Sequence, residues 1–362
     1  MEGRAPSRRR RVSDGHRQAL TAFASDDATY RQQRTRARPL TRCCLLLPPI
    51  MFANFTSKDI PNAGLPPDWK ISLRAESCHP QNTLRYEQDD VRTTLLLLQR
   101  WTPSPKLGLF VDIGANCGVY SLIVASLGHR CIAIDPLPRC VEAIKASAAD
   151  NGFDHSVAVF NGGVSDAAFN FPVPLRVCSP YYSLGATSET RRRAGLWSAS
   201  DSNATTQAQA YPLTEVLQWA GQGTHDAIMM VKIDAEGHEV RILSSMRHLL
   251  RHQKIDIVLW ELTPSKWLNA NVTRAHGIAT LNAMFSQSYH SFFSSRPAFC
   301  DRHGLTTDVC QFARHPSPIA IPSGARYIAS VADLADAMLS SNWTAAENVF
   351  SVAVRETDTL GR

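Results

Sequence analysis

From about residue 107 onward, short apolar runs alternate with segments whose apolar residues recur at helical spacing. That alternation predicts βαβ units around a mostly parallel sheet. "LGLFVDIG" (107–114) reads as a first strand, and "VYSLIVASLG" as the helix after it, stopped at Gly128. "RCIAID" is a second strand. "PLPRCVEAIKASAADNG" is a helix with Val141, Ile144 and Ala148 on one face, ended by Asn151-Gly152. "HSVAVFNGGVSD" gives a third strand and a turn. Regularity then lapses until "LTEVLQWAG" (helix), "DAIMMVKID" (a strongly apolar fourth strand), "EGHEVRILSSMRHLLRHQ" (helix) and "KIDIVLWEL" (fifth strand). Beyond residue 270 the pattern is fainter, with one more strand and helix in "RYIASVADLADAMLSS".

These elements imply an α/β chain with a Rossmann-like, doubly wound, mostly parallel sheet. The organisation that follows is a basic arm over 1–50, a lead-in over 51–106 and one domain over 107–350. The Pro/Ser/Thr/Arg-rich interval 174–210 is an insertion or loop within that domain.

Composition changes this picture little, and charge changes it once. Hydrophobic residues make up 44% of the 362, ordinary for a chain with a buried core. The net charge of +6 suggests nucleic acid until it is located. Residues 1–42 hold eleven arginines and four acids, so the other 320 residues sum to about −1. The body offers no basic stripe, and no nucleic-acid partner is expected. The arm, poor in apolar residues, reads as disordered or as a targeting leader. The apolar run within 43–55 is broken by Pro48 and Pro49 and is short of the roughly 20 residues a span needs, leaving it at most a membrane-associating segment. Nine cysteines without a C-x-x-C pair indicate neither a zinc site nor a full disulfide framework. Cys117, Cys131 and Cys140 read as free, apolar packing residues. A reducing, cytoplasmic setting is favoured on that basis, with an organelle or the secretory pathway left open by the arm and by sequons at Asn54, Asn203, Asn271 and Asn342.

In open parallel sheets, ligands bind at the carboxyl ends of the strands, near the reversal of strand order. The polar residues closing the predicted strands are Asp112 and Asn116, Asp135, Ser165 and Asp166, Asp234 and Glu236, and Glu261. Six of these eight are acids, a poor surface for pyrophosphate and a good one for a ligand bearing positive charge. The first turn, "GANCG", keeps Gly114 and Gly118 but has Asn116 where a phosphate-cradling G-x-G-x-x-G has its middle glycine. S-adenosylmethionine carries adenosine, a sulfonium and an amino-acid end, but no phosphate. Asp112 is then expected to face its amino group, and Asp135, 23 residues on, its ribose hydroxyls. Asp135 before Pro136 also reads as a helix N-cap. Lys232 reads as a strand-end charge that pairs or snorkels, and His238 as a surface residue in a first helical turn.

The same residues resemble the FkbM-type methyltransferases. "FVDIGANCGVYSLIVASLG" is similar to their first motif, and "VKIDAEGHEVRIL" to their K-I-D-x-E-G-x-E phrase, the most specific stretch in the chain. Asp135 stands where the family usually has glutamate before proline, and Thr214 where an aspartate is common. The resemblance implies a class I methyltransferase fold, S-adenosyl-L-methionine as cofactor, and binding roles for Asp112, Gly114, Asn116, Gly118 and Asp135. By position, Ser165 and Asp166 join the cofactor set. Asp234 and Glu236 fall near the reacting centre. The expected activity is methylation of a hydroxyl oxygen on a small molecule or glycan by in-line displacement. Asp234 is the first candidate base, Glu236 the second and His238 the third. A divalent metal on Asp234, Glu236 and Glu261 is chemically compatible, but the sequence does not set their geometry and no metal is assigned. The rivals are a nicotinamide-dependent oxidoreductase and a non-catalytic methyltransferase-like protein.

Overall fold

In the computed structural model, residues 52–74, 80–101, 108–175, 178, 205–223, 227–285, 289–293, 326–328, 330–341 and 347–353 are described. The arm 1–50, the apolar run up to residue 51, most of the insertion, and Asn203 and Asn342 lie outside the described residues. Residues 50–362 form one compact unit.

The strand β3 (Leu109–Ile113) is buried at all five positions, and β9 (Ile228–Ile233) at all six. Continuous apolar runs of this kind belong to strands covered on both faces. With β4 (Arg130–Asp135), β5 (Val157–Asn161) and β10 (Ile255–Leu262) they make the parallel part of an eight-stranded sheet. Its order is β12-β11-β13-β10-β9-β3-β4-β5. The added strands β11 (Tyr289–Phe293), β12 (Arg326–Ile328) and β13 (Glu347–Ala353) join antiparallel, β13 lying between β10 and β11. From β3 the chain winds one way through β4 to β5, and from β9 the other way to β10. The reversal therefore falls between β3 and β9, whose carboxyl ends form the floor of the site.

Helices cover both faces. α3 (Val119–Ser126) is buried from Val119 to Ala125, so it is enclosed on every side. α4 (Pro138–Asp150) buries Cys140, Val141, Ile144 and Ala148. What encloses this face is the lead-in. The antiparallel pair β1 (Phe52–Thr56) and β2 (Lys70–Arg74) is tied to α4 by Arg74 N–H donating to Ser147 Oγ (2.9 Å) and by the Arg74–Asp150 ion pair (2.6 Å). After the short α1 (Pro80–Tyr86), α2 (Gln88–Trp101) buries Val91, Leu95 and Leu98 in the same core. On the opposite face lie α5 (Leu213–Trp219), α6 (Glu239–Ser245), α7 (Arg247–Arg251), α8 (Arg274–Phe285) and α9 (Val331–Ser340).

Three expectations are corrected here. The single helix read over 236–253 is two, α6 and α7, broken at Met246, which ends one and starts the other at φ −95°, ψ 1°. The interval 174–210 is not all loop: residues 205–211 form β8, which pairs with β6 (Gly163–Val164) and β7 (Phe169–Pro174) in a small second sheet. Asp135 is not the N-cap of α4, because Leu137 is, with Pro138 opening the helix. Among the described residues, no helix is long and apolar enough to cross a membrane.

Candidate active site

A cleft opens over the reversal point, lined by the first turn (Ile113, Gly114, Asn116), the end of β4 (Ile134–Leu137), Gly162–Val164, and Asp234, Ala235, Glu236, His238 and Ile242. Its shape begins with the turn. Gly114 has φ +77°, and a Cβ there would lie 1.8 Å from the Asp234 carbonyl oxygen, so only glycine lets the β3 turn cross the end of β9. Asn116 also has positive φ (+50°), a conformation that asparagine tolerates better than most residues.

The turn's backbone donors are already engaged. Gly114 and Ala115 N–H both donate to Ile134 O, Asn116 N–H to Asp135 Oδ2 (2.9 Å), and Gly118 N–H to Ala115 O. A phosphate cradle needs such N–H groups turned outward and free, so this turn does not fit a pyrophosphate. Asp135 also accepts from Leu137 N–H (2.8 Å), which uses one lone pair on each carboxylate oxygen and leaves the others for a ligand in the cleft. Burial pushes the Asp135 carboxyl up to about 7 against the pull of those two N–H donors. The residues therefore suit an adenosyl ligand: a carboxylate for ribose hydroxyls, apolar Ile134, Pro136, Leu137 and Val164 beside it, and an acidic far wall.

Asp112 does not reach that cleft. It is 1% exposed and sits beneath the turn, where its Oδ2 accepts from the Ser121 hydroxyl (2.7 Å) and N–H (3.2 Å) at the start of α3. The expectation that it faces the amino group of a bound ligand is not met here: it braces α3 from below. Burial raises its carboxyl, opposed by Lys232. Lys232, 6% exposed, lies 3.1 Å from Asp234 Oδ2, 4.0 Å from Asp112 Oδ1, and 4.9 Å from the Tyr120 ring centre. Burial works against its ammonium, but Asp234, Asp112 and Glu87 outweigh it and hold the lysine charged. Glu87, from the turn between α1 and α2, accepts from the Tyr120 hydroxyl (3.0 Å) and is pushed by burial up to about 7. It closes the underside of the site, and local sequence around it carried no signal.

The β9–α6 loop is folded by a residue that sequence reasoning passed over. Glu239, wholly buried, accepts from Ala235 N–H (3.3 Å), Gly237 N–H (2.9 Å) and the Thr263 hydroxyl (2.9 Å). Burial raises it to about 7. Those bonds hold the strained Glu236 (φ +54°) with its carboxylate against Lys266. The second glutamate of K-I-D-x-E-G-x-E was the available signal for Glu239.

His238 is buried, not on the surface. Its Nε2 lies 3.0 Å from Ser165 Oγ, the Ser165 hydroxyl donates to Asp166 Oδ1 (3.1 Å), and Arg241 donates to Asp166 (2.9 Å). Burial and then Arg241 lower His238 to about 4, so it is neutral at pH 7. The chain of bonds assigns the ring proton to Nε2 and leaves Nδ1 a buried acceptor with no protein partner. Ser165 and Asp166 thus meet His238 and Arg241 rather than lining the cleft.

Cysteine chemistry departs most from expectation. Cys140 is bonded to Cys178, and Cys117 is also disulfide-bonded; Cys131 alone among the described cysteines is free. The Cys140–Cys178 bridge packs on the Asn116 side chain, whose Oδ1 is 3.2 Å from Cys178 Sγ.

Residues 112–288 match the sequence model of the Methyltransferase FkbM domain. Curated relatives include ubiquinone biosynthesis O-methyltransferases of Methylocella silvestris (31% identical over 139 residues, 35% of this chain and 54% of the relative) and of Methylobacterium sp. strain 4-46 (31% over 135 residues, 34% and 54%). The chain spans about half the length of these relatives. Among solved structures, Methyltransferase FkbM from Methylobacillus flagellatus KT aligns over 51% of this chain and 44% of its own, at 15% identity and a TM-score of 0.28. The bifunctional kinase-methyltransferase WbdD aligns over 76% and 42%, at 12% identity and a TM-score of 0.35. The sheet order, with five parallel strands whose winding reverses between β3 and β9, is that of a Rossmann-like, doubly wound fold.

Proposed function

We propose that this chain, which carries a methyltransferase FkbM domain over residues 112–288, binds S-adenosylmethionine in the cleft and methylates a hydroxyl oxygen of a small molecule or glycan. The observation that supports the choice of donor is the consumed turn: the N–H groups of residues 114, 115, 116 and 118 all bond within the protein, which leaves the turn poor in the free donors that a phosphate cradle uses. The same edge presents the Asp135 carboxylate, and the opposite wall the carboxylates of Asp234 and Glu236.

Bound S-adenosylmethionine supplies a methyl group activated by its sulfonium. The chain's share is positioning and charge. Asp135 holds the ribose end, and the acidic wall favours a cationic ligand in a site with little water. A hydroxyl acceptor must lose its proton during attack. Asp234, 35% exposed in its side chain and lining the cleft, is the most reachable carboxylate for that proton, with Lys232 keeping it oriented. The disulfides support folding in an oxidising compartment, since such bonds rarely persist in the cytosol.

Calorimetric titration of the full chain with S-adenosylmethionine and separately with NAD tests the donor. Saturation by the first alone is expected, and tight binding of the dinucleotide alone overturns the reading. Incubation with methyl-labelled S-adenosylmethionine and fractionated cell extract tests the acceptor. Label in a product that loses it on N-demethylating rather than ether-cleaving chemistry removes the hydroxyl assignment.

A further inference from the structure

Three carboxylates from two strand ends converge beside the cleft. Asp234 and Glu236 follow β9, Glu261 lies near the end of β10, and one oxygen from each falls within 4.8 Å of the others. Glu261 stands out among them. Its Oε2 is out of contact with solvent and has no hydrogen-bond partner.

Among the described residues, two lysines stand beside this corner. Lys232 is held by Asp234 and Asp112, and Lys266 by Glu236. Glu239 spends its oxygens on two backbone N–H groups and Thr263. Five carboxylates (Asp112, Asp234, Glu236, Glu239 and Glu261) thus face two ammonium groups, and Glu261 Oε2 has no donor among the described residues. A buried carboxyl is paired, coordinates a metal or keeps its proton, and a bound cation would take that proton's place.

We propose that Asp234, Glu236 and Glu261 bind a hard divalent cation. All three offer oxygen, the ligand type that calcium, magnesium and manganese take. Two oxygens bound to one calcium at about 2.3–2.6 Å can be no more than about 5 Å apart, so the separations of these donors are compatible with such an ion after at most a small closure. Magnesium, with bonds of about 2.0–2.1 Å, requires them to close to about 4 Å. Asp234 and Glu236 line the cleft and Glu261 does not, so the ion has its protein ligands on one side and its open positions toward the cleft. An acceptor hydroxyl bound there would ionise more easily, which a metal does by withdrawing charge from the oxygen. That last role rests on the proposed methyl transfer; the binding itself does not.

The test uses the full chain, stripped with chelator, and manganese as probe, counted by electron paramagnetic resonance. One saturable manganese per chain is expected, displaced by calcium and magnesium, with thermal stability rising as it binds. Glu261→Gln weakens binding at least about 10-fold, while Asp336→Asn, a surface acid paired to Arg274, leaves it unchanged. Asp234→Asn gives the same loss and serves if Glu261→Gln does not fold. No saturable manganese in the wild type, or binding indifferent to Glu261→Gln and Asp234→Asn, overturns the site. Titration of the same stripped protein with S-adenosylmethionine separates the two ideas. Donor binding without metal binding removes the cation site alone, and metal binding without donor binding leaves the site standing and removes the methyl-transfer reading.

Discussion

Replacing Asp135 with asparagine separates a binding carboxylate from a structural one. In the folded chain its carboxyl titrates at about 7, whereas the ordinary aspartate value is 3.8. At about 1.4 kcal/mol per pH unit, ionising it in the fold costs roughly 4 kcal/mol. The sign follows from proton counts. The unfolded chain releases this proton near pH 4 and the folded chain keeps it until about 7, so stability falls as pH rises across that window. Asparagine removes the ionisation cost but has one acceptor oxygen, so either Asn116 N–H or Leu137 N–H loses its partner, at about 1–3 kcal/mol. The cofactor-free variant should therefore be more stable than wild type at pH 8, by roughly 1–3 kcal/mol, and less stable at pH 4. Binding moves the other way. A hydrogen bond to a charged acceptor contributes about 1.5–3 kcal/mol, so S-adenosylmethionine should bind the variant roughly 10- to 100-fold more weakly at pH 8. Urea unfolding followed by circular dichroism at the two pH values gives the first quantity, and calorimetric titration the second. A variant that is destabilised at pH 8 and binds the donor as tightly as wild type would show that Asp135 only braces the turn.

Gly114→Ala places a methyl 1.8 Å from the Asp234 carbonyl in a left-handed backbone; it should cost more than about 2 kcal/mol and separate β3 from β9, and an unchanged melting temperature would contradict the close crossing. Opening the Cys140–Cys178 bridge, which spans 38 residues, should remove about 4 kcal/mol by loop entropy and weaken donor binding through Asn116. Thermal melts of Cys140→Ser with and without reductant check this, identical curves for variant and wild type counting against it. Lys232→Met leaves Asp112 and Asp234 without their shared cation, and about 3–5 kcal/mol should be lost in chemical denaturation. A loss under 1 kcal/mol would mean that the acids find another partner.

The sequence by itself determined the parallel strands and the order of the chemistry along them. β3, β4, β9 and β10 are mainly apolar runs with polar residues at or near their carboxyl ends, and both features are local: a strand buried on two faces must be mostly apolar, and the polar groups at its end must be wetted or bonded. Asn116, Asp135, Asp234 and Glu236 could thus be placed at strand ends, and the structure sets all four on the cleft. Tertiary structure decided which polar groups meet. Asp112 turned inward because Ser121 and Lys232 wait beneath the turn, and His238 was buried by Ser165, 73 residues away. The bond between Tyr120 and Glu87 spans 33 residues, and the one between Asn348 and Asp90 spans 258. No periodicity reports such contacts, because a side chain's neighbours within one element are fixed by the helical or strand repeat, whereas its neighbours across the core depend on where the whole chain has gone. The same reason hid the Cys140–Cys178 pair and the approach of Glu261 to Asp234 and Glu236.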